Sequence, residues 1–302
     1  MPTVAPVRSR RFVSLPLCLN ILTFHTSPLH TVSAMKVVDF VRKPFIQRAC
    51  AEPHTIPSVV SFFFGLDCHD PAQVQAQLRD GGALTTMKDL WFAGGSEYDQ
   101  LCATHFADTI RAAGNGQLAR NDPAWTQQVD GVVAQLVLCD QLARNAFRGT
   151  PEAYAYDQPA LRLARTLHTD YRASRVASAS RTIQGEYHPP YVAFLVTAFM
   201  HSEVLTDHEA VTEILQHERE TTPEHLHDWW RYQETFEQEH RDVVERFGRY
   251  PHRNALHQRQ STPEEEAWLD DTENLPGWAL SQLQDRPECA EDDVAVGTNP
   301  SA

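Results

Sequence analysis

Ionisable side chains interrupt three apolar helical stripes in this chain. Asp140 and Arg144 stand one turn apart within the stripe Val133, Leu136, Val137 and Phe147, and Asn145 follows them. His201 continues the apolar run Tyr191 to Met200, with Glu203 two residues on. His240 sits among Phe236, Val243, Val244 and Phe247, and its helix runs into Gly248-Arg249-Tyr250-Pro251-His252-Arg253-Asn254. Polar groups aimed at a core need partners or a ligand. His201, Glu203, His240 and Asp140 are the catalytic candidates, because two histidines and two carboxylates can act as acid and base once burial and neighbours tune them. Arg144, Asn145, Arg249, His252, Arg253 and Asn254 are the ligand-binding candidates, since forked guanidinium donors suit a carboxylate or phosphate.

Each group also has a structural reading. An exposed Asp140–Arg144 pair would contribute only about 0.3–0.5 kcal/mol, whereas removing one member of a buried pair costs about 3–5 kcal/mol. Such a pair can simply tie helices together. A lone histidine in an apolar stripe is more often a hydrogen-bonded core residue than a ligand. Arg249 and its neighbours can cap helix C-terminal carbonyls. His201 and Glu203, about 200° apart on a helix, cannot chelate one ion together unless the helix unwinds at Ser202, and no metal site is assigned. His217, His225 and His227 lie in polar sequence and read as solvated.

The elements that must position these groups are helices. Val59 to Gly65 is compact and apolar, Asp70-Pro71 starts a helical run to about Met87, and Trp91-Phe92 precedes a loop at Gly94-Gly95. A helix follows from Ser96 to Ile110, another from Asp122-Pro123 to Arg148, and a third after Pro151. Arg172 to Tyr187 lacks periodicity and reads as an exposed loop. Pro189-Pro190 opens a helix apolar all round, hence central to the core. Further helices start near Asp207 and at Pro223, and Thr262-Pro263-Glu264-Glu265 is a capping box for a short last one. Alternating β-branched runs are missing, so the expected class is all-α: antiparallel helical hairpins in one compact domain over 59–283.

The chain has 302 residues and a formal charge of −14. Residues 1–50 carry seven Lys or Arg and one acid, which leaves −20 for the remainder. That balance argues against nucleic acid and against anionic membrane as partners. No run is long and apolar enough to span a bilayer. The six cysteines show no paired spacing and read as free thiols. Residues 1–34, basic and free of acids, read as an organelle transit peptide, or as an untranslated or unstructured segment ahead of Met35; a secretory signal is a third reading. The compartment would be mitochondrial or plastid in the first case and cytoplasmic in the second. Residues 284–302 are acidic and expected to be disordered. No zinc-type spacing, glycine-rich nucleotide loop or nucleophile elbow is present.

Three segments carry a resemblance. Leu138-Cys139-Asp140-Gln141-Leu142-Ala143-Arg144-Asn145-Ala146-Phe147-Arg148-Gly149-Thr150, Met200-His201-Ser202-Glu203, and Arg246-Phe247-Gly248-Arg249-Tyr250-Pro251-His252-Arg253-Asn254 resemble the bacterial family called domain of unknown function 924. The match runs over about residues 59–270. It implies a tetratricopeptide-like right-handed helical array and no particular reaction or cofactor. The chain departs from the family pattern at Ala143 (usually proline), His208 (usually glutamine) and His257-Gln258 (usually Leu-Gly).

Three functions follow as expectations. The first is a polar pocket that binds a small anionic molecule and acts on it. The second is a helical-repeat scaffold that binds a peptide, with the same residues as struts. The third is a metal-dependent hydrolase using His201, Glu203, His240 and His252. The oligomeric state is left open.

Overall fold

The computed structural model describes residues 37–284, except 87, 89 and 91–94. The expectations for residues 1–34, Met87, Trp91-Phe92, Gly94 and the 285–302 tail therefore lie outside the described residues. Among the described residues there is no β-strand, only an isolated parallel bridge between Gln128 and Gln184.

The first half comprises α1 (Val37–Val41), α2 (Pro44–Ala49), α3 (Ile56–Phe64), α4 (Pro71–Arg79), α5 (Ala83–Thr86), α6 (Gly95–Gly114), α7 (Gln117–Asn121), α8 (Ala124–Gln127), α9 (Val129–Val137) and α10 (Ala143–Ala146). After these come α11 (Asp157–Ser174), α12 (Pro189–Met200), α13 (Leu205–Thr221), α14 (His227–Phe247), α15 (Pro263–Asp270) and α16 (Gly277–Gln284). Local chemistry sets many boundaries. Thr55 and Ser58 form a capping box for α3, Asp70 accepts from the Gln73 backbone, and Thr262 with Glu265 boxes α15.

Three expected elements differ. The run from Pro71 breaks at Gly81 into α4 and α5. The helix from Asp122 to Arg148 is not continuous: Gln128 is extended because the strand-like segment at Gln184 pairs with it, and the chain kinks there. Gly131 makes the kink possible, since a Cβ at this position would come within 2.3 Å of the Ala124 carbonyl oxygen. The stretch 172–187 is not simply an exposed loop. Its first residues extend α11, and Asp170 then gathers Arg181, the Thr182 and Ile183 amides and the Tyr187 hydroxyl, which draws Ile183 into the core.

α12 is central, as its composition requires. Every residue from Pro190 to Met200 is buried, and the helix packs against α9, α11, α13 and α14. Each fully buried large side chain here contributes about 1.5–3 kcal/mol through removal from water. Successive pairs α11–α12, α12–α13 and α13–α14 pack along the chain, while α3 against α9 and α6 against α10 close the first half.

Candidate functional site

A cavity of about 710 Å³ opens where α6, α10, α12, α14 and α16 meet. Its wall includes Arg144, Asn145, His201, His240 and His252. Segments more than a hundred residues apart thus deliver five of the expected site residues to one place.

The first segment arrives on a widened turn. Between α9 and α10 the backbone forms a π-helical turn, Leu138–Leu142, of the kind that recurs at functional sites. It presents Gln141, Arg144 and Asn145 to the cavity, with the Gln141 amide donating to Asn145 at 3.0 Å. Asp140 lies just behind, 2 % exposed. Its carboxylate is 3.2 Å from Arg144 and 2.9 Å from Nδ1 of His201. Burial alone would push the Asp140 carboxyl up, but Arg144 and His201 hold it below its ordinary value.

His201 closes the C-terminus of α12, with its carbonyl accepting from Arg253 at 3.0 Å. The helix stops at Met200, so the chain does unwind at Ser202. Even so, His201 and Glu203 take different partners. With Nδ1–H donated to Asp140, Nε2 of His201 remains available to a ligand. Burial lowers the affinity of this imidazole for a proton, against the opposing pull of Asp140. His240 repeats the arrangement, donating Nδ1–H to the Phe236 carbonyl at 2.7 Å. Its ring stacks on Trp278 at 4.0 Å and lies 6.3 Å from the His201 ring. Burial, then His201, puts it well below its ordinary value, so both rings are neutral bases at neutral pH.

The remaining candidates go elsewhere. Glu203 is held by Arg259 at 2.7 and 2.9 Å and by the Tyr250 amide at 2.9 Å, away from the cavity wall. Arg249 is clamped by Glu265 at 2.6 and 2.8 Å and by the Gln260 carbonyl, which holds the Glu265 carboxyl down at about 2. Asn254 donates to Ser261 and Glu265 in the same outer network. Arg253, 4 % exposed, lies behind the wall between the Tyr154 and Tyr250 rings. The grouping expected for a metal-dependent hydrolase does not form, because Glu203 is spent on Arg259; among the described residues no set of three His, Cys, Asp or Glu could hold a metal. His225 is exposed, but His217 and His227 are half-buried, with His227 bonded to the Thr222 carbonyl.

Several residues on or just behind the wall escaped the sequence reading. Asp157 bridges Arg144 at 2.9 Å and Arg253 at 3.4 Å, yet sits at an ordinary helix start. Glu239 looked like one more exposed acid, and Trp278 lies on α16, whose short pattern carried no signal. Asp99 pairs with Arg148 and accepts from Asn145 at 2.6 Å.

The family model for bacterial proteins of unknown function, DUF924, matches residues 59–273. A solved structure of a protein of unknown function from Agrobacterium tumefaciens is 28% identical, with 67% of this chain and 99% of that chain covered and a TM-score of 0.43. Among curated proteins no match is found. Since the family model spans well over half of the sequence and includes all three polar segments, the chain belongs to the DUF924 family.

Proposed function

We propose that the cavity binds a small organic molecule and acts on it by proton transfer, with His201 as general base and His240 as the second imidazole. One observation carries this reading: Asp140 fixes Nδ1 of His201 from 2.9 Å, which leaves Nε2 as the acceptor on the wall of a cavity large enough for a metabolite. When Nε2 takes a proton, the Asp140 carboxylate stabilises the imidazolium. Arg144 keeps that carboxylate ionised. A thermal-shift screen with phosphorylated, carboxylated and amine metabolites tests the reading. Ligands that stabilise the wild type and fail to stabilise His201→Gln support it; a hit unaffected by His201→Gln and His240→Gln sinks it.

The scaffold reading draws on a different observation. The clamps Arg249–Glu265 and Arg259–Glu203 are closed on themselves, as struts would be. The successive packing of α11 to α14 supports a tetratricopeptide-like array, and a peptide would use its outer grooves. Pull-down with the cavity variants unchanged from wild type would favour it. Our division of the chain into residues 1–50, the helical domain 59–283 and an acidic tail rests on composition, as does the transit peptide, whereas α1 and α2 within the first segment bury Phe40 and Ile46 in the core.

A further inference from the structure

We propose that the occupant of this cavity is a protonated primary or secondary amine, held by Glu239 and the two imidazole acceptors; the inference rests on the pocket reading above. Charge balance on the wall points there. Each lining cation already has a carboxylate: Arg144 has Asp140 at 3.2 Å and Asp157 at 2.9 Å, and Arg148 has Asp99. The anion suggested by the arginines therefore meets guanidiniums that are spent. Glu239 is different, since among the described residues no Lys, Arg or His pairs with it, and it accepts only the Trp278 indole N–H at 3.2 Å.

Glu239 also lies beside the reactive groups. Trp278 spans from its carboxylate to the His240 ring, on which it stacks at 4.0 Å, and His201 is 6.3 Å further on. His240 is 6 % exposed, and among the described residues its Nε2 has no hydrogen-bond partner. One unpaired carboxylate and two neutral imidazole acceptors call for a ligand rich in donors. An ammonium supplies up to three N–H donors and a charge that suits both Glu239 and the Trp278 ring. A quaternary ammonium brings the charge without donors and fits less well.

A matched series isolates the charge: 2-phenylethylamine, 2-phenylethanol and 3-phenylpropionate, titrated calorimetrically into the full chain. The amine is expected to bind at least about tenfold more tightly than the alcohol, and the carboxylate more weakly than either. Glu239→Gln, which still accepts the Trp278 N–H, should abolish the amine's advantage without lowering Tm. Preference for the carboxylate, or an amine preference that survives Glu239→Gln, overturns the amine assignment and leaves a pocket. Absence of binding by all three overturns it too, while the pocket reading stands or falls with the wider screen.

Discussion

Both carboxylate oxygens of Asp140 lie 2.9 Å from Nδ1 of His201, across 61 residues of sequence and out of reach of bulk water. Replacing Asp140 by Asn keeps a hydrogen-bond acceptor but removes the charge that favours the imidazolium. The His201 pKa should fall further in Asp140→Asn, read by NMR titration of the ring, and turnover of any cavity substrate should drop by about 100-fold or more. A His201 titration identical to wild type would show that this contact does not govern the imidazole. Asp140→Ala should also cost about 1–3 kcal/mol, because His201 and Arg144 lose a buried partner while Arg144 keeps Asp157 at 2.9 Å.

Arg249→Ala is expected to lower Tm by several degrees and leave cavity ligands untouched. Its guanidinium restrains Glu265, a carboxylate 2 % exposed that also accepts from the Thr262 amide. The measurement is a melting curve with and without a cavity ligand. Loss of ligand affinity at constant Tm would return Arg249 to the binding residues.

Stability should decline as pH falls below about 6.5. His201 and His240 both have folded pKa values lowered by burial, so the unfolded chain takes up protons that the fold refuses. Their contribution is complete above the unfolded value and is lost through the acid window beneath it, by at most about 1.4 kcal/mol per pH unit for each group. Asp140, Arg144 and Arg253 face His201, while His201, His208, Arg253 and Glu239 surround His240. His208 opposes the trend: burial lowers it, but Glu237 at 3.0 Å outweighs burial and raises it. Denaturant midpoints between pH 5 and 7.5 should therefore slope less in His240→Gln than in wild type.

Gln258 adopts a φ of 54°, a left-handed backbone that costs a residue with a Cβ about 1–2 kcal/mol. Gln258→Gly should relieve the strain and raise stability by about 1 kcal/mol, less the entropy glycine gains when unfolded. A destabilised variant would mean that the Gln258 side chain holds the turn by other contacts.

Gly131→Ala tests the kink between α8 and α9. The new methyl would collide with Ala124 and Trp125 backbone atoms, at an expected cost of about 1–3 kcal/mol in chemical denaturation. An unchanged midpoint would show that the two helices separate freely.

Much of this was readable in the residues. Apolar periodicity with proline starts and glycine stops marked most of the longer helices, because both signals act within a few residues of chain. The unbroken apolar surface of Tyr191 to Met200 could only be core. His201, His240 and Asp140 stood out in stripes that otherwise exclude charge; the two histidines line the cavity and Asp140 lies just behind it. The break at Gln128 was not readable, since it depends on pairing with Gln184 some 56 positions on.

Sequence periodicity thus settled the helical class, the central helix and which polar segments were out of place. It was silent on which of those polar groups would neutralise one another. Arg249 and Glu203 were as promising as His201 until folding set Glu265 and Arg259 against them, and Glu239 was unremarkable until folding gave it an indole and, among the described residues, no cation. A side chain's chemistry is set by what surrounds it, and in this chain those surroundings come from helices distant along the backbone.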